Sequence, residues 1–193
     1  MLKKIILAAV VAATASFAQI NFGARAALDM NTLWGDDADD ASSGIGFQAG
    51  VGMKISLPLR PITVAPEVLI DMRNYDEAND ITTTEWAIDI PVMVRFSLLP
   101  ILYLEAGPML DINLSVSSED DDGHEVEYDD DAFNTIGFGL AFGVGTGIVP
   151  FVDIDFRVNL GLTNVAADKE FMGKTIEVDA SNRQFVLGAT YWF

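Results

Sequence analysis

The sequence predicts an all-β fold: an eight-stranded antiparallel up-and-down transmembrane β-barrel, preceded by a cleaved signal peptide. Three observations predict this fold. Apolar and polar residues alternate along eight segments, as they do in strands with two unlike faces. The links between the segments are alternately short and long. Half of the 193 residues are hydrophobic, yet beyond the N-terminus no apolar run approaches the ~18 residues that a membrane-spanning helix needs.

The N-terminus has the three parts of a secretory signal peptide. Lys3 and Lys4 supply the positive region, Ile5–Ala13 supplies the apolar core, and a small-x-small site ends at Ala18. Cleavage at that site makes Gln19 the first mature residue. The alternative, an uncleaved anchor helix, is disfavoured because about nine apolar residues are too few to cross a bilayer.

Residues 1–18 are therefore expected to form the signal peptide, and residues 19–193 one barrel domain. Removing the two leader lysines from the 11 basic residues leaves nine against 29 acidic ones, a formal net charge of −20. This charge disfavours nucleic acid and anionic lipid headgroups as direct partners. The lack of cysteine excludes disulfides, thiolate metal sites and a lipid-modified N-terminus.

Each of the eight segments carries Ile, Val, Leu, Phe or Met on one face and small, polar or charged residues on the other. The second segment is the clearest, and its 13 residues span roughly 43 Å, which a tilt of about 40° reduces to a rise of about 33 Å. That rise is enough to cross the hydrocarbon layer. The fourth and fifth segments form a long hairpin. The sixth has glycine at most positions of one face, which leaves space for bulky groups from opposing strands. In chain order the segments are 19–29, 45–57, 62–75, 84–97, 102–116, 135–147, 152–162 and 184–193.

The links between the segments fit an outer-membrane barrel with both termini on the periplasmic side, which needs three short turns and four longer outer loops. The short links lie near Pro58, Pro100 and Pro150, and the long ones near Asp37, Asn79, Asp121 and Lys169. Aromatic residues near the strand ends suit interfacial girdles. These residues are Trp34, Tyr75, Trp86, Tyr103, Phe133, Phe151, Tyr191 and Phe193.

Pro66, Pro91 and Pro108 lie inside predicted strands, where each removes a ladder donor. We therefore expect bulges or local kinks at these positions. A soluble β-sandwich or a lipocalin-like barrel would also give eight alternating strands. Such a fold would need polar outer faces, whereas the polar side of these segments is too small to be a solvent-facing exterior.

Five blocks follow one another along the mature chain. They are PEVLID at Pro66–Asp71, WAIDIPVMVRF at Trp86–Phe96, LEAGPMLDINL at Leu104–Leu114, FGLAFGVGTG at Phe138–Gly147 and FRVNLGLTNV at Phe156–Val165. In this order they resemble the blocks of the PorT-type outer-membrane β-barrel domain family. The resemblance covers essentially the whole mature chain. It implies an outer-membrane location in a Gram-negative-type cell and no shared catalytic residues.

The polar faces bring basic and acidic side chains together in the predicted lumen. The basic residues are Arg25, Lys54, Arg73, Arg95 and Arg157, and the acidic ones are Glu67, Asp71, Glu85, Asp89, Glu105, Asp111, Asp153 and Asp155. Eight strands leave just enough room for side chains, so we expect a salt-bridged plug. The alternative is a conducting pore or a proton path.

The third outer loop is the most acidic segment of the chain. Asp120, Asp122 and Asp129 loosely follow the spacing of an EF-hand loop, and their hard oxygen ligands suit calcium. Serine replaces the first aspartate of that pattern, and aspartate replaces its final glutamate. The alternative is a solvated, self-repelling loop that collects Ca²⁺ or Mg²⁺ diffusely.

The single histidine of the chain, His124, could join Ser117 or Ser118 and Glu125 in a hydrolytic trio like that of outer-membrane lipid deacylases. All of these residues lie in one acidic loop, whereas a catalytic base needs a rigid support. We therefore expect neither an enzyme nor a cofactor.

Taken together, the sequence favours a structural or interaction protein that acts through acidic outer loops. The alternatives are a narrow passive channel and, less favoured, an envelope lipid hydrolase. Expected partners are outer-membrane lipid, divalent cations at the loops, and the barrel-assembly machinery, which would engage the C-terminal strand ending in Phe193. We expect a monomer.

Overall fold

The computed structural model describes residues 19–34, 43–57, 61–77, 81–119, 125–127, 136–163, 169–171, 174–176 and 181–193. The predicted signal peptide lies outside these ranges, so cleavage between Ala18 and Gln19 stays a prediction. The strands are β1 (Gln19–Trp34), β2 (Gly44–Ser56), β3 (Ile62–Glu77), β4 (Ile81–Leu99), β5 (Leu102–Glu119), β6 (Glu125–Glu127), β7 (Ile136–Val149), β8 (Val152–Gly161), β9 (Lys169–Phe171), β10 (Lys174–Ile176) and β11 (Ser181–Trp192).

The eight long strands form one closed antiparallel ring, which confirms the predicted fold class. Each strand pairs with its neighbours in the chain, from β1 to β5 and then through β7 and β8 to β11. The ring closes because β11 pairs with β1, from Gly23 opposite Trp192 to Trp34 opposite Ser181. The part of the chain that the structure describes contains no helix long and apolar enough to cross a membrane.

The barrel wall is apolar outside and polar inside. Along β2, exposed and buried residues alternate: Ile45 is 72% exposed, whereas Gln48 is 2% exposed. Within the strands, large exposed hydrophobic side chains such as Phe22 and Phe138 lie on the outward faces that the alternation predicts, and others, such as Leu99 and Phe151, lie at the short turns. Because lipid can cover such a face at no cost, this inverted distribution is that of a membrane-spanning barrel.

Of the bulges or local kinks predicted at Pro66, Pro91 and Pro108, the bulges are wrong, but the pairing with one neighbouring strand is interrupted at each proline. The register is the same on both sides of each proline. Each proline still pairs with a residue on one of its two neighbouring strands. The missing N–H removes a hydrogen bond on one side only, because the N–H of a strand residue points to one neighbouring strand. The register instead shifts beside two short turns, between Ser97 and Leu99 and between Thr146 and Val149, and at a bulge at Leu114 of β5.

The bulge at Leu114 inverts the alternation for the rest of β5. Ser115, predicted to lie on the enclosed face, is exposed, and Val116 is 7% exposed inside the barrel. An extra residue on one strand moves every later side chain to the opposite face, and the alternation of apolar residues before the bulge contains no sign of it.

Only part of the predicted aromatic girdle lies on the outer surface. Phe151, Tyr191 and Phe193 are exposed, but Tyr75 and Tyr103 are buried in the lumen. Both tyrosines occupy the same alternate positions as the polar residues of their strands, on the inward face. Alternation therefore predicted their location better than closeness to a strand end did. Trp86 is half-buried and contacts the Phe47 ring edge-on at 6.0 Å between centroids. The side chains of Trp34 and Phe133 lie outside the described residues.

Three connections differ from the prediction. The link near Asn79 spans only residues 78–80, because β3 and β4 extend further than their alternation suggested. Within the segment predicted as an acidic loop, β6 pairs with the end of β5. In the predicted last loop, β9 and β10 pair as a small hairpin. Loop polarity therefore did not exclude short backbone pairing at the outer end.

Candidate functional site

The inward faces of all eight long strands meet in a lumen filled with charged side chains. Every charged residue predicted for the lumen points inside, and all are at most 9% exposed except Lys54 and Asp111, which are half-buried. They divide into two groups. The turn-side cluster comprises Arg25, Lys54, Glu67, Arg95, Glu105, Asp153, Asp155 and Arg157. The loop-side cluster comprises Asp29, Asp71, Arg73, Glu85, Asp89 and Asp111.

Glu67 is the centre of the turn-side cluster. Its two carboxylate oxygens accept hydrogen bonds of 2.8 and 2.7 Å from Nη2 and Nη1 of Arg157. Arg25 Nε lies 3.6 Å from Glu67 Oε2, and Arg95 Nη2 lies 3.5 Å from Glu67 Oε1. A carboxylate that is 2% exposed is thus surrounded by three guanidinium groups from three other strands. Bidentate geometry of this kind is among the strongest that ion pairs adopt.

The same three arginines also contact further carboxylates. Both terminal nitrogens of Arg25 donate to Asp155, at 2.6 and 2.8 Å. Glu105 bridges the other two, accepting from Arg157 Nε at 2.6 Å and from Arg95 Nε at 2.9 Å. Because most of these bonds join strands that are not neighbours in the wall, they cross the lumen and brace it.

Asp153 closes the turn-side cluster near the short turns. It accepts hydrogen bonds from Arg95 at 3.0 Å, from Lys54 at 3.3 Å and from the indole N–H of Trp192 at 2.8 Å. The Lys54 ammonium also lies 4.4 Å from the centre of the Trp192 ring, a cation–π contact. With four basic and four acidic side chains, the turn-side cluster is formally neutral.

The loop-side cluster is built around a single cation, Arg73. Its guanidinium donates to Asp71 at 2.6 Å, to Glu85 at 2.9 Å and to Asp89 at 2.6 Å, and it also bonds Asp111. Among the residues that the structure describes, it is the only basic side chain on the inner face of this end. Four carboxylates therefore share one positive charge.

A fifth carboxylate, Asp29, adds to this excess. It is 3% exposed, Asn31 donates to its Oδ1 at 2.5 Å, and its Oδ2 has no hydrogen-bond partner. The loop-side cluster thus has a formal charge of −4 if all five carboxylates are ionised. Asp29 was not among the predicted charged lumen residues, although its parity on β1 places it on the inner face.

A chain of amide side chains links the loop-side cluster to the opposite wall. Gln184 Nε2 donates to Asp71 at 2.7 Å and to Asn31 Oδ1 at 2.9 Å, and Gln184 Oε1 accepts from Asn159 Nδ2 at 3.0 Å. Gln48 lies 3.5 Å from both Gln184 and Asp89. Sequence reasoning placed Gln48, Asn159 and Gln184 on the enclosed face but put Asn31 in the first loop, and it treated none of them as a site residue. These amides occupy inward-facing strand positions close to buried acidic residues, and this position was the signal that could have identified them.

Cavities lie at both ends of the lumen. The turn-side cavity, about 190 Å³, is lined by Lys54, Arg95, Tyr103 and Asp153 among others. The loop-side cavity is about 40 Å³. Its lining includes Arg73, Glu85, Asp111, Gly137, Asn159, Gly161, Asn182 and Gln184. Between the two cavities the lumen is filled by buried side chains that are each at most 2% exposed, namely Gln48, Glu67, Asp89 and Arg157.

The predicted loop site lies outside the described residues. Asp120, Asp122 and Asp129 belong to this undescribed part, as does His124, so their predicted roles in calcium binding and hydrolysis are not tested. Within the described ranges, no group of three or more His, Cys, Asp or Glu side chains is placed to hold a metal ion.

Comparison with known proteins agrees with this architecture. Neisserial surface protein A has a similar fold, with a TM-score of 0.59 at 14% identity over 89% of this chain and 97% of that one. Ail of Yersinia pestis, in complex with a heparin analogue, gives 0.52 at 13% identity over 91% of this chain and 99% of that one. No curated protein matches the sequence. The family model described as outer membrane protein beta-barrel domain matches residues 15–167. The chain is therefore an outer-membrane protein and belongs to the outer membrane protein beta-barrel domain family.

Proposed function

We propose that this protein is a plugged outer-membrane barrel that works as a structural or interaction protein through its acidic outer loops. The observation that carries the proposal is the neutral turn-side cluster, which fills the lumen with braced ion pairs. Conduction needs a continuous polar path in which ions bind weakly. Here Glu67 and Arg157 are each 2% exposed and are bonded to each other across the barrel. The surfaces left for function are the loops and the lipid-facing wall.

The charge of the outer end favours a basic partner. In barrels of this kind the short turns face the periplasm and the longer loops face the outside. Residues 36–40 and 119–131 are dominated by Asp and Glu, in a chain with a formal net charge of −18. Ail was solved with sucrose octasulfate, a polyanion. The present chain has the opposite requirement, because its acidic loops repel polyanions and attract cationic peptide surfaces.

Binding to a basic peptide tests the interaction role. The barrel, reconstituted in neutral phospholipid liposomes, is titrated with a 20-residue oligolysine peptide at 50 mM NaCl. Changing Asp120, Asp122 and Asp129 together to Asn keeps the loop length and is expected to weaken binding at least tenfold. A companion variant changes Asp36, Asp37 and Asp39 to Asn and is expected to weaken binding less, because the first loop has fewer acidic residues than the third. Equal binding by the wild type and the first variant would contradict the assignment of the third loop.

Planar-bilayer recording tests the plug against the alternative of a narrow channel. We expect no voltage-dependent single-channel steps from the purified barrel, because the ion pairs around Glu67 leave no aqueous path. The Glu67→Ala variant serves as a positive control, since it removes the carboxylate that three guanidinium groups share. Regular steps from the wild-type protein would overturn the proposal in favour of a passive channel.

The finer predictions from the sequence belong to the same proposal. The PorT-type assignment, a monomeric state, loop binding of divalent cations and recognition of the last strand by the barrel-assembly machinery each need their own experiment. Phe193 is 71% exposed, and its N–H donates to Phe22 O at 2.8 Å, so the aromatic side chain beside β11 is accessible on the outer surface. We propose no catalytic role, because a hydrolytic trio would depend on the single histidine, His124.

A further inference from the structure

We propose that the loop-side cavity of the lumen is a calcium site formed by Glu85, Asp111, Asn159 and Asn182. This site is distinct from the acidic outer loops and from the partner binding proposed above. Its four ligand residues come from β4, β5, β8 and β11, so the closed wall holds them in place. The inference depends on an unpartnered buried oxygen, on a charge imbalance and on the space that two glycines leave.

Asn159 presents an oxygen with no partner to the cavity. The side chain is 6% exposed, and its Oδ1 makes no hydrogen bond. Its orientation follows from its neighbours. Asp71 accepts a bond from Gln184, so Gln184 presents its NH₂ group to Asp71 and its Oε1 to Asn159. Asn159 must then donate its own NH₂ to Gln184, which leaves Oδ1 facing the cavity.

A second amide oxygen lies on the same wall. Asn182 lines the cavity, and its Oδ1 is also buried without a partner. A buried carbonyl oxygen without a donor is costly, and two of them around one cavity can be satisfied by a cation or by water. Asn side-chain oxygens are common ligands of calcium.

The opposite wall supplies charge. Glu85 and Asp111 line the cavity, and each bonds Arg73 through one carboxylate oxygen. With all five carboxylates ionised, the loop-side cluster has four more negative than positive charges, and a divalent cation would reduce this excess by half. The proposed ligands are two carboxylates and two amide oxygens. They therefore do not form a group of three acidic or imidazole ligands, and the described residues contain no such group.

Glycines make the space for the ion. Gly137 stands opposite Asp111 in the register, and a Cβ there would lie 3.4 Å from Asp111 Cβ. Gly161 also lines the cavity without a side chain to fill it, and a Cβ there would lie only 3.1 Å from Asn182 O. The cavity of about 40 Å³ has room for about three water-sized particles, that is, an ion with one or two waters. Irregular coordination by carboxylate, amide and water oxygens suits Ca²⁺ better than Mg²⁺, which demands octahedral geometry and keeps its waters.

Calorimetric titration of the detergent-folded barrel with CaCl₂ tests the site. The titration contains 0.3 M NaCl to screen diffuse binding at the loops. We expect one saturable site with a Kd between about 10⁻⁴ and 10⁻³ M, as in extracellular calcium modules, and at least tenfold weaker binding of Mg²⁺. Asn159→Leu should weaken Ca²⁺ binding at least tenfold. Because both residues are neutral, diffuse electrostatic attraction cannot account for such a loss.

Controls keep the test independent of folding. Thr190→Val, a neutral substitution in the turn-side half, should leave the Kd unchanged. If Asn159→Leu does not fold, Asn182→Ala at the half-buried start of β11 replaces it, with the same expectation. In the wild type, Mn²⁺ should broaden the NMR signals of Gly137 and Gly161 before those of Gly52 and Gly147 at the other end. Absence of saturable binding, an unchanged Kd in the asparagine variant, or unaffected Gly137 and Gly161 signals would each overturn the proposal.

Discussion

The two ends of the lumen are built from the same residue types but with different charge balance. The turn-side cluster pairs four basic with four acidic side chains, and every carboxylate in it has a basic partner within 3.3 Å. The loop-side cluster sets five carboxylates against Arg73, and Asp29 and Asp71 each retain an oxygen without a partner. The two clusters therefore show two different roles of buried charge. A balanced cluster braces the wall, whereas an unbalanced one is costly unless a cation joins it.

Removal of Arg73 should break this comparison most severely. Arg73→Met leaves the five carboxylates of the loop-side cluster without a cation, and we expect a loss of about 5 kcal/mol of unfolding free energy, at the upper end for breaking a buried ion pair. Urea titration of the barrel in liposomes, followed by tryptophan fluorescence, measures it. Lowering the pH to about 4 should restore part of the stability, because protonation removes the repulsion. A change below 1 kcal/mol would contradict the role assigned to Arg73.

Neutralising Glu67 should have the next largest effect. Glu67→Gln leaves the Arg25, Arg95 and Arg157 guanidinium groups with one carboxylate fewer, and we expect a loss of about 3–5 kcal/mol by the same titration. The double variant Glu67→Leu with Arg157→Leu should lose less unfolding free energy than the single variants Glu67→Leu and Arg157→Leu lose together. Apolar side chains can replace a buried ion pair, whereas each single change leaves one charge unpaired. Additive losses would show that the pair does not act as a unit.

Neutralising one aspartate in each cluster should give effects of opposite sign. Asp29→Asn removes a buried charge that has no basic partner and is expected to stabilise the barrel by about 1 kcal/mol. Asp155→Asn removes the partner of Arg25 and is expected to destabilise it by about 3 kcal/mol. Destabilisation by both substitutions would mean that the loop-side cluster is balanced by a cation already bound in the preparation, which a chelator control identifies.

Two glycine substitutions should show the smallest effects and sharpen the comparison of packing. Gly143→Ala would place a Cβ 2.8 Å from Phe156 O and 2.9 Å from Arg157 Cγ, so we expect a loss of about 1–3 kcal/mol. Gly137→Ala meets nothing closer than 3.4 Å and should change stability by less than about 0.5 kcal/mol. Equal losses from both would contradict the difference in free space around Gly143 and Gly137.

Period-two alternation carried most of the fold prediction. It gave the number of long strands, their faces and the inward direction of every charged lumen residue, because a strand sends successive side chains to opposite sides. It could not give the bulge at Leu114 or the burial of Val116, since one extra residue leaves no trace in the pattern that precedes it.

Partnerships inside the lumen were beyond sequence reasoning. The bonds from Arg157 to Glu67 and from Arg25 to Asp155 depend on the stagger between strands, which closure of the ring determines. For the same reason, parity placed Asn159 and Gln184 on the inner face but could not show that one oxygen of Asn159 lacks a partner. The predicted site in the third loop lies in a region where alternation provides no guide.

The bond between Arg25 and Asp155 joins residues that are 130 positions apart, and that between Gln184 and Asn31 spans 153. Such contacts cannot form until the last strand has met the first, so the interior takes its native order only at the end of assembly. Until then the lumen charges must stay hydrated, because lipid cannot solvate them. Insertion of this barrel therefore requires a water-filled intermediate, and its rate should be limited by closure rather than by formation of individual hairpins.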